Sequence, residues 1–231
     1  MTAAPPHVGT LREKPLHASL KRWYAEPGDR VEVPVDGFVI DLVRDDLLIE
    51  IQTRGFSSMR RKLAALLEGG HRVLLVHPVP VEKSIVKIGP DGVEIGRRRS
   101  PKHGRAVDVF AELASFPELV AHPGLCIEVV LTRECEHRVH DPSRNRRRKG
   151  WAVEERRLVE VVDIVALREP SDLAALLPAD LPDPFTTADL ATGIRRPRRL
   201  AQQMAYCLRR TGMVEPTGKR GNAIEYRRTD V

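Results

Sequence analysis

With 231 residues, 42% hydrophobic and 30% charged, the chain is long enough to bury a core without disulfides or metals standing in for one. It has no run of about 18 apolar residues for a membrane helix. The opening MTAAPPHVGT lacks the basic start and apolar stretch of a secretory signal, so the cytoplasm is the expected compartment and a membrane is not an expected partner. Cys126, Cys135 and Cys207 are an odd, sparse set, unlike a disulfide framework.

The net charge of +6 sits at one end. From Phe185 to Val231 ten Lys/Arg stand against four Asp/Glu, whereas residues 1–184 carry 28 of each sign. A basic tail on a neutral body is the electrostatic footprint of a nucleic-acid grip, because phosphate neutralisation supplies most non-specific affinity. A solvated basic face is the alternative. Arginine outnumbers lysine 30 to 8, which suits bidentate contacts to phosphate and guanine.

In chain order, apolar spacing predicts an amphipathic helix over 11–24, alternating strand residues over 31–43, a second apolar run over 47–51, a helix over 57–68 and a strand over 72–77. Beyond residue 80 a hairpin is expected over 85–95, turned at Gly89-Pro90-Asp91-Gly92, and a helix near 108–114. Strands over 126–133 and 158–167 bracket a polar loop at 141–150 that contains the RNRRRK run. Pro178, Pro182 and Pro184 mark a linker. The expected division is a body of residues 1–178 and a module of residues 184–231.

The stretch DGFVIDLVRDDLLIEIQT, from Asp36 to Thr53, carries the most chemistry. If Asp45-Asp46 form a two-residue turn, paired positions sum to 91, so Asp41 faces Glu50 and Val39 faces Gln52. Opposed like charges destabilise a strand pair, and a carboxylate within an apolar run must shed its water unless a cation or proton compensates. A divalent cation is a natural compensation, because Mg²⁺ takes one or two protein carboxylates and keeps several waters. A solvated hairpin face is the bland alternative, opposed by Phe38, Val39, Ile40, Leu42, Val43, Leu47, Leu48 and Ile49, which make both faces apolar.

Helix, three strands, helix, strand, with Asp41 on the second strand and Glu50-Ile51-Gln52 on the third, resembles the PD-(D/E)XK, or restriction endonuclease-like, nuclease superfamily. The resemblance covers about residues 11–78 and implies an α/β fold, a mixed sheet flanked by helices. It also implies a Mg²⁺ (or Mn²⁺) ion held by Asp41 and Glu50, joined by Glu13 from the opening helix, and hydrolysis of DNA phosphodiester bonds. Gln52 departs from the family's usual lysine. A neutral amide can orient water but cannot supply positive charge. Lys62 on the following helix is either a migrated catalytic cation or a surface lysine. A degenerate body that only binds DNA is the competing reading, and an RNA substrate a further one. A homodimer would suit cutting both strands.

In the basic module, Thr186 or Thr187 can cap a helix over 188–192 ended by Gly193, and a second helix fits 198–210. Strands over 213–216 and 223–227 flank the tip Thr217-Gly-Lys-Arg-Gly-Asn222. Helix, turn, helix and basic-tipped hairpin is similar to a winged helix. That likeness places Arg195, Arg196, Arg198, Arg199, Gln202 and Gln203 toward DNA, with Lys219 and Arg220 on the wing. Cys135, His137 and His140 do not match the spacing of a closed zinc site. The other histidines, His17 among them, read as structural or surface residues. No glycine-rich phosphate loop is present, so no nucleotide cofactor is expected.

Overall fold

The computed structural model describes residues 13–143 and 150–229; the RNRRRK run and Leu11 lie outside them. The first six elements follow the expected order: α1 (Pro15–Tyr24), β1 (Arg30–Val35), β2 (Phe38–Arg44), β3 (Leu47–Ile51), α2 (Arg60–Glu68) and β4 (Arg72–Ile88). Asp45 and Asp46 form the two-residue turn, and the pairs Arg44↔Leu47, Val43↔Leu48 and Leu42↔Ile49 carry the expected register. Asp45 has φ of 49°, the left-handed conformation such hairpins require and Asp tolerates.

These strands belong to a seven-stranded sheet ordered β1-β2-β3-β4-β6-β7, with β5 (Glu94–Arg99) also on β4, β6 at Leu125–His140 and β7 at Trp151–Leu167. The sheet is mixed: β3, β4 and β6 run parallel, and the remaining pairs are antiparallel. Leu16, Leu20 and Tyr24 of α1 pack with Leu42, Ile49, Ile51 and Val76 on one face. Leu63, Leu66 and Leu67 of α2 pack with Ile40, Leu48, Val73 and Leu75 on the other. Central strands covered on both sides account for the apolar run in β2 and β3.

Beyond residue 77 the strands are longer than expected. The strand expected over 72–77 runs on through Pro78 and Pro80, and β4 continues to Ile88. Both prolines share the parity of Val76, whose carbonyl takes the Gln52 N–H from the β3 side, so their missing donors fall on an edge left open between β3 and β5. The helix expected near 108–114 is a 3₁₀ turn at Ala106–Val109 followed by α3 (Phe110–Leu113).

After α4 (Pro170–Ala174), β8 (Phe185–Thr186), β9 (Val214–Arg220) and β10 (Ala223–Arg228) form a second sheet, ordered β8-β10-β9, with α5 (Thr187–Ile194) and α6 (Arg198–Arg210). Thr186 caps α5 by accepting from the Ala188 and Asp189 N–H groups, while Asp189 accepts the Thr186 N–H at 2.8 Å. α5 runs through Gly193 to Ile194, and Arg195 takes the left-handed turn at φ 52°. The expected separation at 178–184 is a boundary in sequence but not in packing. Leu190, Ile194, Leu200, Met204 and Leu208 share one apolar core with Val109, Phe110, Phe116 and Leu173. Among the described residues no helix is long and apolar enough to cross a membrane.

Candidate active site

Pairing between β2 and β3 stops at Leu42↔Ile49, one step before Asp41 and Glu50. Across that gap the Asp41 carboxylate accepts the Ile51 N–H at 2.8 Å. A side chain thus replaces a ladder bond where the strands part. On the other side of β2 the pairing also skips Asp41, running from Val31↔Leu42 to Val33↔Ile40. The residue between, Glu32, has φ of 52°, a strained conformation for a side chain of this kind within a strand.

The two acids are held from opposite faces. Asp41 Oδ2 lies 3.1 Å from Nε2 of His17 on α1, and His17 Nδ1 lies 2.6 Å from Glu13. Glu50 is ion-paired with Lys62 of α2, whose ammonium also donates to the Val39 carbonyl at 2.6 Å. Lys62 therefore stands at the acid pair and not on the outer surface of α2. Burial pushes the Asp41 carboxyl up, but the His17 hydrogen bond and charge bring it below the ordinary range. Glu50, only 5% exposed, is raised by burial and by the Asp41 charge to about 7, against the pull of Lys62. One acid is thus held ionised and its neighbour titrates near neutrality.

Two expected participants are placed elsewhere. Glu13 does not join the pair: its carboxylate is taken by His17 and by Lys21 at 2.7 Å, and the imidazole stands between it and Asp41. The Gln52 amide donates to the Arg54 carbonyl and lies 3.3 Å from that of Gly55, so it staples the turn after β3 and does not face the acids. His17 is the residue the sequence reading passed over. Burial opposes its protonation, but Asp41 and Glu13 raise its pKa, and protonated it can donate from both ring nitrogens. Its spacing of four from Glu13 within the helix expected over 11–24 was the available signal, although α1 itself begins at Pro15 and Glu13 precedes it.

Among the described residues no group of three or more His, Cys, Asp and Glu side chains is placed to hold a metal ion. What remains is a two-carboxylate set of hard oxygens, and that donor chemistry suits Mg²⁺ or Mn²⁺ completed by water and substrate.

In the module, three residues expected on DNA bond to other groups of the protein, Arg220 while still exposed at the surface. Arg196 grips Asp108 at 2.6 and 2.9 Å and the His103 carbonyl at 2.8 Å. Gln203 lies 3.3 Å from the Ala111 carbonyl on α3, and Arg220 folds back onto Glu225 and Asp189. Arg195, Arg199 and Lys219 are exposed. Arg198 and Gln202 share an outward stripe with Tyr206 and Arg209, lining a groove of about 300 Å³ against Asn222 and Ile224 of the hairpin.

The sequence profile described as "Domain of unknown function (DUF8091)" matches residues 14–168. The chain belongs to the DUF8091 family. The matched span begins just before α1 and ends just after β7, so the family domain is the seven-stranded sheet with its helices, including Asp41, Glu50 and Lys62. A protein of Treponema pallidum (strain Nichols), described as an uncharacterized protein, is 34% identical over 223 residues, covering 96% of this chain and 87% of that relative. A match of that extent takes in most of the basic module as well. No solved structure matches the chain.

Proposed function

We propose that this DUF8091 protein is a metal-dependent nuclease acting on DNA, with the body hydrolysing the phosphodiester bond and the C-terminal module, a winged helix in this reading, gripping the substrate. The observation that carries the proposal is that Asp41, held ionised, lies within electrostatic reach of Glu50, lifted to about 7, where β2 and β3 part and Lys62 ion-pairs with Glu50. Carboxyls whose pKa values are pushed apart by burial and by a like-charged neighbour cluster at functional sites.

In this reading Asp41 and Glu50 hold Mg²⁺, which when bound stabilises charge on the scissile phosphate and lowers the pKa of a water. His17, tied to Glu13, orients the Asp41 carboxylate. Lys62 offsets negative charge at Glu50 and at an approaching phosphate. Arg198, Gln202 and Arg209 on α6, with Lys219 at the hairpin, contact the nucleic acid in place of Arg196, Gln203 and Arg220.

The test is cleavage of supercoiled plasmid and of labelled single- and double-stranded oligonucleotides with Mg²⁺, Mn²⁺ or EDTA. The expected outcome is cleavage that needs metal, disappears in Asp41→Asn and Glu50→Gln, and leaves duplex binding by those variants intact. Absence of cleavage of any DNA by the wild-type protein with either metal would overturn the enzyme assignment, and parallel RNA substrates show which sugar is accepted. A second reading, a DNA-holding protein with a degenerate body, is favoured by Gln52, whose amide is spent on the turn at Arg54. It predicts duplex binding without cleavage.

A further inference from the structure

Along β4 the sheet is split. β3 pairs with Arg72 to Val76 and β5 with Ser84 to Ile88, so the segment between has β6 on one side and, among the described residues, no strand on the other. The chain after β5 crosses this opening. Gly104 donates its N–H to the Pro80 carbonyl at 2.8 Å, an approach only glycine allows because a Cβ there would lie 2.6 Å from that oxygen. Beneath the crossing is a cavity of about 580 Å³, a volume typical of small-ligand sites, whose wall begins at Thr53 and reaches Arg196 and Pro197 of the module.

Pro78, Val79, Pro101 and Pro197 give the cavity apolar walls. Lys83, Lys102, Arg156 and Arg196 line it, with Asp108 and Glu112. Arg196 is spent on Asp108 and Lys83 is shared with Glu136, but Arg156 is poorly served. Its guanidinium is only 13% exposed, yet Nη1 is 3.6 Å from Glu134 Oε2 and Nη2 is 3.5 Å from the Thr53 carbonyl. Glu134 is itself buried, and its Oε2 has no hydrogen-bond partner among the described residues. A buried guanidinium with long contacts beside an unsatisfied carboxylate is costly, and an anion in the cavity would supply the short, charge-assisted bonds it lacks.

We propose that this cavity binds a phosphate monoester carried on a nucleoside-sized group. Arg156, with only long contacts, and Lys102 on the rim are the two cations left for such a phosphate, whose charge is close to −2 at neutral pH. Arg156 offers a bidentate fork, Lys102 reaches from the exposed rim, and the proline-rich walls accept the flat apolar part of the ligand. The phosphate can come from a free nucleotide or from the end of a nucleic-acid strand. The proposal stands on these residues whether or not Asp41 and Glu50 cleave DNA.

Calorimetric titration of the full chain with AMP, adenosine and inorganic phosphate tests it, alongside anisotropy with short oligonucleotides carrying a 5′-phosphate, a 3′-phosphate or hydroxyls only. AMP should bind more tightly than adenosine or phosphate. Arg156→Gln should weaken that binding at least about tenfold, the loss of one charge-assisted hydrogen bond. Lys102→Gln, on the exposed rim where folding is not at stake, should weaken it by a smaller factor that shrinks in salt. Preference for a phosphorylated end over the hydroxyl oligonucleotide identifies the source as a strand end, and binding of AMP alone identifies a free nucleotide. Lack of binding by AMP and by every phosphorylated oligonucleotide overturns the proposal, as does AMP affinity unchanged in both variants.

Discussion

Glu50 and Glu136 are both buried glutamates within the same sheet, 5% and 3% exposed, and their surroundings treat them oppositely. Glu136 lies between Lys83 at 2.9 Å and Arg138, and those cations outweigh burial and hold its carboxyl below the usual range. Glu50 has Lys62 but also feels the charge of Asp41, and burial together with that second acid lifts it to about 7. Burial alone therefore does not decide the direction in which these two carboxyls shift; the charges beside each of them do.

The largest expected effect is on the structural acid. Glu136→Ala leaves Lys83 and Arg138 without their shared partner, and breaking a buried pair from one side costs about 3 kcal/mol or more. Urea unfolding at pH 7 should show the loss as a lower midpoint with little change in slope. Because the folded Glu136 carboxyl is shifted down, its stabilisation is present above its unfolded pKa and fades as pH falls through the folded one. A variant as stable as the wild type would erase the contrast with Glu50.

Glu50 should behave in the reverse sense. Its carboxyl is raised from 4.5 to about 7, so its contribution is complete below about pH 4.5 and is lost as pH rises through about 7, by about 3 kcal/mol at most. Glu50→Gln should flatten that part of the stability profile, measured as unfolding free energy at half-unit steps from pH 4 to 8. Mg²⁺ should raise the melting temperature of the wild type at pH 8, where Glu50 is charged, and have no effect on the variant. Lys62→Met sharpens the comparison further: with the lowering partner gone, Glu50 should titrate at higher pH and the alkaline loss of stability should move upward. An unmoved profile would mean that Lys62 does not act on Glu50.

How far these features were legible depended on whether their causes were local. The register of β2 and β3 follows from Asp45-Asp46 and the alternation around it, so the pairs from Arg44↔Leu47 to Leu42↔Ile49 could be read from residue numbers, whereas the parting of the strands before Asp41 and Glu50, and so the loss of the expected Asp41–Glu50 and Val39–Gln52 pairs, could not. The limits of α6 could be read from Gly212 and from apolar spacing at Leu200, Met204 and Leu208. The long strands could not, because Pro78 and Pro80 stop a strand only where their missing donors are needed, and that depends on an open edge set by β3 and β5. Arg196 looked like a DNA contact because charge is visible in sequence, whereas its partner Asp108 lies 88 positions away. Nothing near Arg156 announced Glu134 or the cavity, since they meet only through the pairing of β6 with β7.

The smallest expected effect concerns Gln52, and it separates two uses of one side chain. If the amide orients the attacking water, Gln52→Ala should abolish cleavage while stability stays put. Its hydrogen bonding to the Arg54 carbonyl on the turn leads to the opposite expectation: cleavage within about threefold of wild type, and a stability loss of about 1 kcal/mol, one hydrogen bond's worth on a half-exposed turn. Gln52→Lys tests the same point from the other side. A lysine has no acceptor need and three donors, so it can keep the turn bonded or swing toward Glu50 beside Lys62. A gain in cleavage rate, with Glu50 titrating lower, would mean that the acid pair lacks positive charge; an unchanged rate would mean that Lys62 already supplies it.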